Sequence, residues 1–387
     1  KNQLGKWIRT HMGQNLKAFI YDDILANHTL GRNHVLIPTR IKYTYELLNA
    51  FGAFEAENSF VVKPRKASLT EICSFHKPEY VSAVRNFSKG RYLSQAMKFN
   101  FSTRGDNPVY PGMYEAGLWS TGASLKAMEL LLEGKFSVAT NFSGGLHHAM
   151  PGYASGFCVF NDPAVVIIQM VNLGLRVAYV DIDCHHGDGV EAAFLDSDQV
   201  LTISIHESGE FLFPGTGIYE DMGFGKGLGY SVNLPLHPYT DDEVYEWAFM
   251  QVVPPIIHAF QPDILVTQIG IDTHFRDPIT HLRLSVRGFE NLIHELSLLS
   301  PGRWLVLGGG GYDLKAVIQG WTAAYGIILS KIWPENTPKS FQSQYGVEAL
   351  YDPLPEQTLS SFKKDSFSYA RRGIDFIRKN TFPIHGI

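Results

Sequence analysis

The chain has 387 residues, 45% hydrophobic and 18% charged, which is enough to bury a large core. Its net charge of −5 and pI near 6.3 argue against a generic binder of nucleic acid or other polyanions and are compatible with a cationic substrate. No apolar run approaches the roughly 18 residues of a membrane span. The three cysteines, Cys73, Cys158 and Cys184, are odd in number and far apart, so they read as reduced thiols of an intracellular, cytoplasmic protein. Lys1 is not an initiator methionine, which leaves room for a removed leader or tag.

In chain order, residues 1–17 carry Leu4, Trp7, Ile8 and Met12 at helical spacing, the pattern of an amphipathic extension laid on the body or on a second subunit of a homo-oligomer. A strand is expected over 18–21, helices over 40–51 and 74–86, and a loop over 106–111 from its Asp-Asn-Pro and Tyr-Pro-Gly signals. A long helix, rich in Ala, Leu and Met, follows over 114–132. A regular alternation then begins. Strands are expected over 136–140, 176–182, 200–205, 264–269 and 304–307, with helices over 163–172, 241–260, 286–299 and 316–329 between or after them. Residues 333–358 are richer in Pro, Ser and Gln and read as a surface wrap, closed by a last helix over 369–380. Strands alternating with helices imply an α/β fold, a mostly parallel sheet covered on both faces. No internal repeat or linker divides the chain, so 18–387 reads as one domain with its C-terminal wrap from about 333.

In such sheets ligands sit beyond the carboxyl ends of the strands, and the unusual residues cluster there. The strand over 176–182 ends in Asp181, Asp183 and His185, at i, i+2 and i+4. In extended backbone these share one face, while Ile182 and Cys184 point into packing. Two carboxylates and an imidazole on one face suit a divalent metal, although a charged strand end running into a glycine-rich turn is the plain alternative. His147 and His148, Asp272 and Tyr312 lie at three further strand ends.

The segments SGGLHHA (143–149), SGFCVFND (155–162), DIDCHHGDGVEAAF (181–194), FPGTG (213–217), Asp272-Thr273 with Asp277-Pro278, and GGGGYD (308–313) together resemble the metal-dependent histone deacetylase family. That family includes bacterial acetoin-utilisation-type and polyamine deacetylases on the single-domain arginase-like α/β fold. The resemblance runs in order from about Ala18 to Leu329. Its GGLHHA form and Asp188 are closer to the first eukaryotic class than to the second.

Carried over residue by residue, the resemblance implies that Asp183, His185 and Asp272 hold Zn²⁺, or Fe²⁺ with similar geometry, leaving a position open for water. It implies an acid–base pair, His147 oriented by Asp181 and His148 oriented by Asp188, and Tyr312 as the hydrogen-bond donor to an oxyanion. It lines the substrate channel with Gly156, Phe157 and Phe213, and puts Asp106 at the rim to grip a substrate backbone. For K⁺ it matches Asp181, Asp183, His185, Ser204 and Ile205 to an inner site, and Phe194, Ser197, Val200 and Tyr230 to an outer one.

The chain departs from the pattern in three places. Cys184 stands where a larger apolar residue is usual. Ile279 stands where polyamine-preferring relatives carry a glutamate. His274, Phe275 and Arg276 replace smaller residues at the rim, where they are expected to narrow or recharge the entrance. The implied activity is removal of acetyl or other acyl groups from lysine side chains of proteins or peptides. Deacetylation of small amines such as acetylpolyamines is the alternative, with Ile279 against it. A ureohydrolase would need a second metal and other motifs, and a silent binding module would tolerate loss of a ligand or of Tyr312.

Overall fold

The computed structural model describes residues 15–31, 34–102, 105–353 and 360–387. Eight strands form one sheet: β1 (Leu16–Ile20), β2 (Ser59–Val62), β3 (Phe136–Asn141), β4 (Val177–Asp181), β5 (Val200–Glu207), β6 (Ser231–Leu236), β7 (Ile264–Gln268) and β8 (Trp304–Leu307). Their spatial order is β2-β1-β3-β8-β7-β4-β5-β6, and every pair is parallel. A parallel sheet is covered on both faces, so its strands are apolar on both sides. In β8, Trp304 and Val306 enter one buried cluster and Leu305 and Leu307 the other; in β4, Ala178 and Val180 face opposite to Val177 and Tyr179.

One cluster is closed by the helices Asp242–Phe260, Val286–Leu299 and Leu314–Leu329, and the other by Met113–Leu132 and Asp162–Asn172. Several of these helices begin on a side-chain cap, Asp241, Ser285, Asp313 or Asn161, each accepting a backbone N–H two or three residues into the first turn.

The winding reverses between β4 and β7. From β4 the chain moves outward through the helix Asp188–Phe194 to β5 and β6, whereas from β7 it moves through Val286–Leu299 to β8 on the other side. Connections that leave two neighbouring strands in opposite directions open a crevice at their carboxyl ends. Asp181 ends β4, and Asp272 lies just past the end of β7.

Apart from the start of the last helix, the expected elements agree with the structure to within a few residues, and the described residues add two strands, three short α-helices and four 3₁₀ segments. β2 has four residues, with Phe60 and Val61 exposed at the sheet edge, too short and too open to show a buried-strand pattern. β6 contains Pro235, which lacks the N–H a central strand needs; β6 is the opposite edge strand, where that loss is tolerated. The helices Leu69–Ile72, Asp188–Phe194 and Lys339–Tyr345 span two turns or fewer. The last helix begins at Ser360 rather than at residue 369. The amphipathic segment around Leu4, Trp7, Ile8 and Met12 lies outside the described residues. No helix among the described residues is long and apolar enough to cross a membrane.

Candidate active site

Where β4 ends, Asp181 turns its carboxylate to the loop after β3. Its Oδ2 lies 2.7 Å from Nδ1 of His147 and accepts the Tyr179 hydroxyl at 2.6 Å, and its Oδ1 accepts the Asp183 N–H at 3.1 Å. The neighbouring His148 places Nδ1 2.7 Å from Oδ1 of Asp188. The two rings meet at their Nε2 atoms, 3.0 Å apart, so one of them must carry the shared proton.

The charges decide which. Burial disfavours charge on His147, but Asp181 and Asp183 close by and the hydrogen bond to Asp181 outweigh it and hold the imidazolium up to about 9. Burial and then the charge of His147 push His148 down to about 4, against the pull of Asp188. His148 is the neutral partner. Its Nδ1–H donates to Asp188 and its Nε2 presents a lone pair.

Beside this pair, Asp183, His185 and Asp272 bring one ligand atom each within 4.8 Å of one another. Nδ1 of His185 lies 3.1 Å from Asp183 Oδ1 and 2.9 Å from Asp272 Oδ2, and all three residues are buried. Two carboxylates facing one imidazole leave a buried negative excess. Burial and then the charge of Asp183 push the Asp272 carboxyl up to about 6. This hard-oxygen and imidazole set, short of one positive charge, fits a divalent cation. The remaining lone pairs are held by protein donors: Asp183 Oδ2 accepts from the Gln268 side chain and the Gly310 N–H, both at 2.7 Å, and Asp272 Oδ1 accepts the Cys184 N–H at 2.7 Å.

Tyr312 follows the glycine run, and its N–H donates to Asp277 Oδ2 at 2.8 Å. Burial and then the charges of Asp272 and Asp183 keep its phenol well above the ordinary range, so it stays a proton-bearing donor. A cavity of about 660 Å³ runs from His148, His185 and Tyr312 outward past Phe157 and Phe213, and Asp106 and Ile279 line it as well. Gly156 borders it with φ +50°, and a Cβ there would lie 2.2 Å from Cδ2 of His148. The adjacent Phe157, φ +67°, is held in this strained conformation by its N–H donating to Asn107 Oδ1 at 3.0 Å.

The residues matched to monovalent cations fall into two groups along β5. Ser204 pairs with Asp181 across the β4–β5 ladder and Ile205 follows it. Phe194, whose carbonyl accepts the Ser197 N–H, lies with Val200 near the start of β5, and the Tyr230 carbonyl accepts the Thr202 N–H at 2.9 Å.

The rim expectation for residues 274–276 is corrected. His274 is 1% exposed and neither it nor Arg276 lines the cavity. His274 Nε2 lies 2.8 Å from Asp352 Oδ2, and Arg276 pairs with Asp352, Asp313 and Gln319. Arg276 thus ties the loop carrying Asp272 both to Asp352 of the C-terminal wrap, whose side chain is almost fully covered, and to Asp313, the residue after Tyr312.

Sequence reasoning missed other supports. Arg40 is buried and donates to the carbonyls of Gly309 and Gly311 at 2.6 and 2.7 Å, its guanidinium over Trp321. Asp162 accepts the N–H groups of Gly145 and Leu146, just before the two histidines. Gln268, Arg40 and Asp352 carry no local spacing signal, because each acts on a loop distant in sequence.

Residues 34–328 match the family model described as histone deacetylase domain. The chain is 35% identical over 360 residues to the acetoin utilization protein AcuC of Bacillus subtilis, covering 88% of this chain and 92% of that protein. It is 36% identical over 331 residues to histone deacetylase 1 of Homo sapiens, covering 85% of this chain and 67% of that one. The solved structure of an HDAC homolog from Aquifex aeolicus superposes with a TM-score of 0.83 at 28% identity, over 92% of this chain and all of that one.

Two outcomes are expected. A Cβ at Gly310 would lie 2.0 Å from Asp272 Oδ2, so Gly310→Ala should weaken binding of a divalent cation about 10- to 100-fold in a competition titration, while the circular dichroism of the fold is kept. Asp352→Ala leaves the buried His274 without its carboxylate and removes one of the three partners of Arg276, and should cost about 2 kcal/mol in denaturant unfolding.

Proposed function

The chain belongs to the histone deacetylase family, a family of amide hydrolases, and from that membership we propose that it removes acetyl groups from lysine side chains of proteins or peptides. The observation that carries the mechanism is the pair of adjacent histidines meeting at Nε2, each backed through Nδ1 by its own carboxylate at 2.7 Å.

In this reading Asp183, His185 and Asp272 hold a catalytic Zn²⁺, with Fe²⁺ as the other candidate. Such an ion, when bound, supplies Lewis-acid polarisation of the acyl carbonyl and acidifies the attacking water. His148 is the base. Its Nε2 takes the proton of the water as the new C–O bond forms, and Asp188 stabilises the resulting imidazolium through Nδ1–H. His147, backed by Asp181, acts mainly through its electrostatic influence on the reacting groups. Tyr312 donates its phenolic proton as a hydrogen bond to the oxyanion of the tetrahedral species. His148 then delivers its proton to the amine nitrogen as the C–N bond breaks, releasing acetate and the free lysine amine.

The lysine reading is supported by the shape and chemistry of the cavity. Phe157 and Phe213 flank a passage suited to an apolar methylene stem, and Ile279 in its lining offers no carboxylate to a second ammonium. Asp106 lies at the mouth, positioned in this proposal to accept N–H groups of a peptide backbone. The proposal extends to residues 18–387 as one catalytic domain, and to K⁺ held by Asp181, Asp183, His185, Ser204 and Ile205, and by Phe194, Ser197, Val200 and Tyr230.

The test is acetate release by the zinc-reconstituted protein from an acetyl-lysine peptide and from acetylputrescine and acetylspermidine in parallel. The peptide is expected to turn over faster; faster release from the polyamines would replace the lysine reading with the small-amine one. Tyr312→Phe should lower kcat about 100- to 1000-fold with zinc content unchanged, the loss that follows removal of one oxyanion donor. Turnover like that of the unmutated protein would remove Tyr312 from the mechanism.

A further inference from the structure

Asp277 stands five residues after Asp272 in the same loop, yet no step of the reaction uses it. The residue is 8% exposed, and both oxygens of its carboxylate point at backbone. Oδ2 accepts the Tyr312 N–H at 2.8 Å and Oδ1 accepts the Ile279 N–H at 3.1 Å, while its own N–H donates to the His274 carbonyl at 2.8 Å. Burial and then the charge of Asp272 raise its carboxyl to about 7, and the two accepted N–H groups oppose that rise. An acid buried beside another acid is costly, and the compensation lies in the groups it holds.

One of those groups is half of a single peptide unit. The Gly311 carbonyl and the Tyr312 N–H share one plane. Arg40 Nη1 donates to that carbonyl at 2.7 Å and Asp277 accepts that N–H at 2.8 Å, so a guanidinium and a carboxylate grip the peptide dipole from its two ends. Gly311 is at φ +136°, and a Cβ there would lie 2.7 Å from Val317 Cγ2, so the plane turns on a residue with no side chain to steady it. On the other side of Tyr312, Asp313 caps the helix Leu314–Leu329. Tyr312 is thus fixed between a helix start and a peptide held by charge.

Its phenol has no such anchor. Among the described residues no hydrogen bond reaches the Tyr312 hydroxyl, and the ring meets Phe157 and His185 edge-on, with centroids 5.6 and 6.5 Å away. The direction of the phenol is therefore set at the backbone. A phenol oxygen stands about 6 Å from its Cα, so a tilt of about 10° displaces it by about 1 Å, enough to cost an order of magnitude or more in rate.

We propose that Asp277 is a positioning residue for the reaction: by holding the Tyr312 N–H while Arg40 holds the carbonyl of the same peptide, it aims the phenol at the oxyanion. The inference rests on the role of Tyr312 in the peptide-deacylase reading above.

The experiment measures kcat and KM of the zinc-loaded full chain and of its Asp277→Asn, Tyr312→Phe and doubly substituted variants, each with an acetyl-lysine and a trifluoroacetyl-lysine peptide. A carboxamide keeps the volume of the side chain but has one acceptor oxygen, so its NH₂ is turned toward one of the two backbone N–H groups. The fluorinated acyl group stabilises its own oxyanion and depends less on the phenol. Asp277→Asn is expected to lower kcat for acetyl-lysine about tenfold with KM within about twofold, and to raise the trifluoroacetyl-to-acetyl ratio. In the Tyr312→Phe background the same change should alter kcat less than about twofold, because the group it positions is gone. Divalent-cation binding in a competition titration should match that of the unmutated chain. A chain carrying the α-hydroxy acid of tyrosine at position 312 lacks that N–H alone and keeps both Asp277 and the phenol. It should raise the same ratio, and it decides the question if Asp277→Asn fails to fold or turns its nitrogen to Ile279 instead. An equal loss with and without the phenol, or a ratio unchanged in the hydroxy-acid chain, overturns the positioning role and leaves the deacylase reading standing. Unimpaired turnover by Tyr312→Phe, or no release from either peptide by the unmutated chain, overturns that reading and the inference with it.

Discussion

Two carboxylates buried against a single imidazole, at the reversal between β4 and β7, are the constraint on which the rest of the structure depends. Moving an ionised group out of water costs several kcal/mol even after relaxation, and Asp183 and Asp272 are both almost fully buried. The chain meets this cost with directed donors. Gln268, the Gly310 N–H, the Cys184 N–H and the His185 N–H each point at one of the carboxylate oxygens. These donors come from three of the four strand ends, so the cluster cannot be built until β4, β7 and β8 are in register. What they leave unsatisfied is charge rather than hydrogen bonding. That residue of negative charge fits a cation and would be an unexplained expense in a purely structural core.

The loops around the cluster are fixed from behind by charges that belong to distant parts of the chain. Arg40 enters from the helix Thr39–Ala50 and clamps the glycine run through two carbonyls, with its flat face on Trp321, whose own N–H reaches the Ile269 carbonyl. Asp352 enters from the C-terminal wrap and binds Arg276 and His274. Asp162 and Asn161 hold the loop of the two histidines through backbone N–H and carbonyl groups. A loop free of regular structure otherwise has many conformations of similar energy. Burying one charge against its backbone selects a single conformation, because leaving that charge unpaired costs about as much as the entropy lost in ordering a few residues.

This organisation explains what the sequence discloses and what it hides. Asp181, Asp183 and His185 are legible because their spacing of two lies at the end of an apolar run, where local periodicity and chemistry coincide. The strands β4, β5, β7 and β8 are legible because burial on both faces makes them continuous apolar runs. The edge strands β2 and β6 escape, one for its exposed Phe60 and Val61 and the other for Pro235, since an edge relaxes the rules that make a strand recognisable. Arg40, Gln268 and Asp352 escape for a different reason. An arginine at a helix start, a glutamine at a strand end and an aspartate in a wrap have ordinary solvated roles, and only tertiary placement removes them from water. His274 and Arg276 are legible as polar residues near Asp272, but the direction in which they point is set by Asp352, 78 residues beyond His274, which no local pattern contains.

The two histidines show most directly how placement assigns chemistry to identical side chains. His147 and His148 are adjacent, both are buried, and each has a carboxylate on Nδ1 at the same distance of 2.7 Å. Burial and one carboxylate apiece would leave them equivalent. The difference comes from the second carboxylate: Asp183 lies 3.8 Å from Nε2 of His147, whereas His148 has His185 as its further neighbour, a group of the opposite effect. A proton placed between the rings therefore settles on His147, and the charge it confers lowers its neighbour further. Asymmetry in the surrounding acids thus becomes a division of labour between a fixed cation and a free base. The asymmetry originates in the turn after β4 that carries Asp183, so the arrangement that buries the carboxylates also sets the proton inventory of the pair.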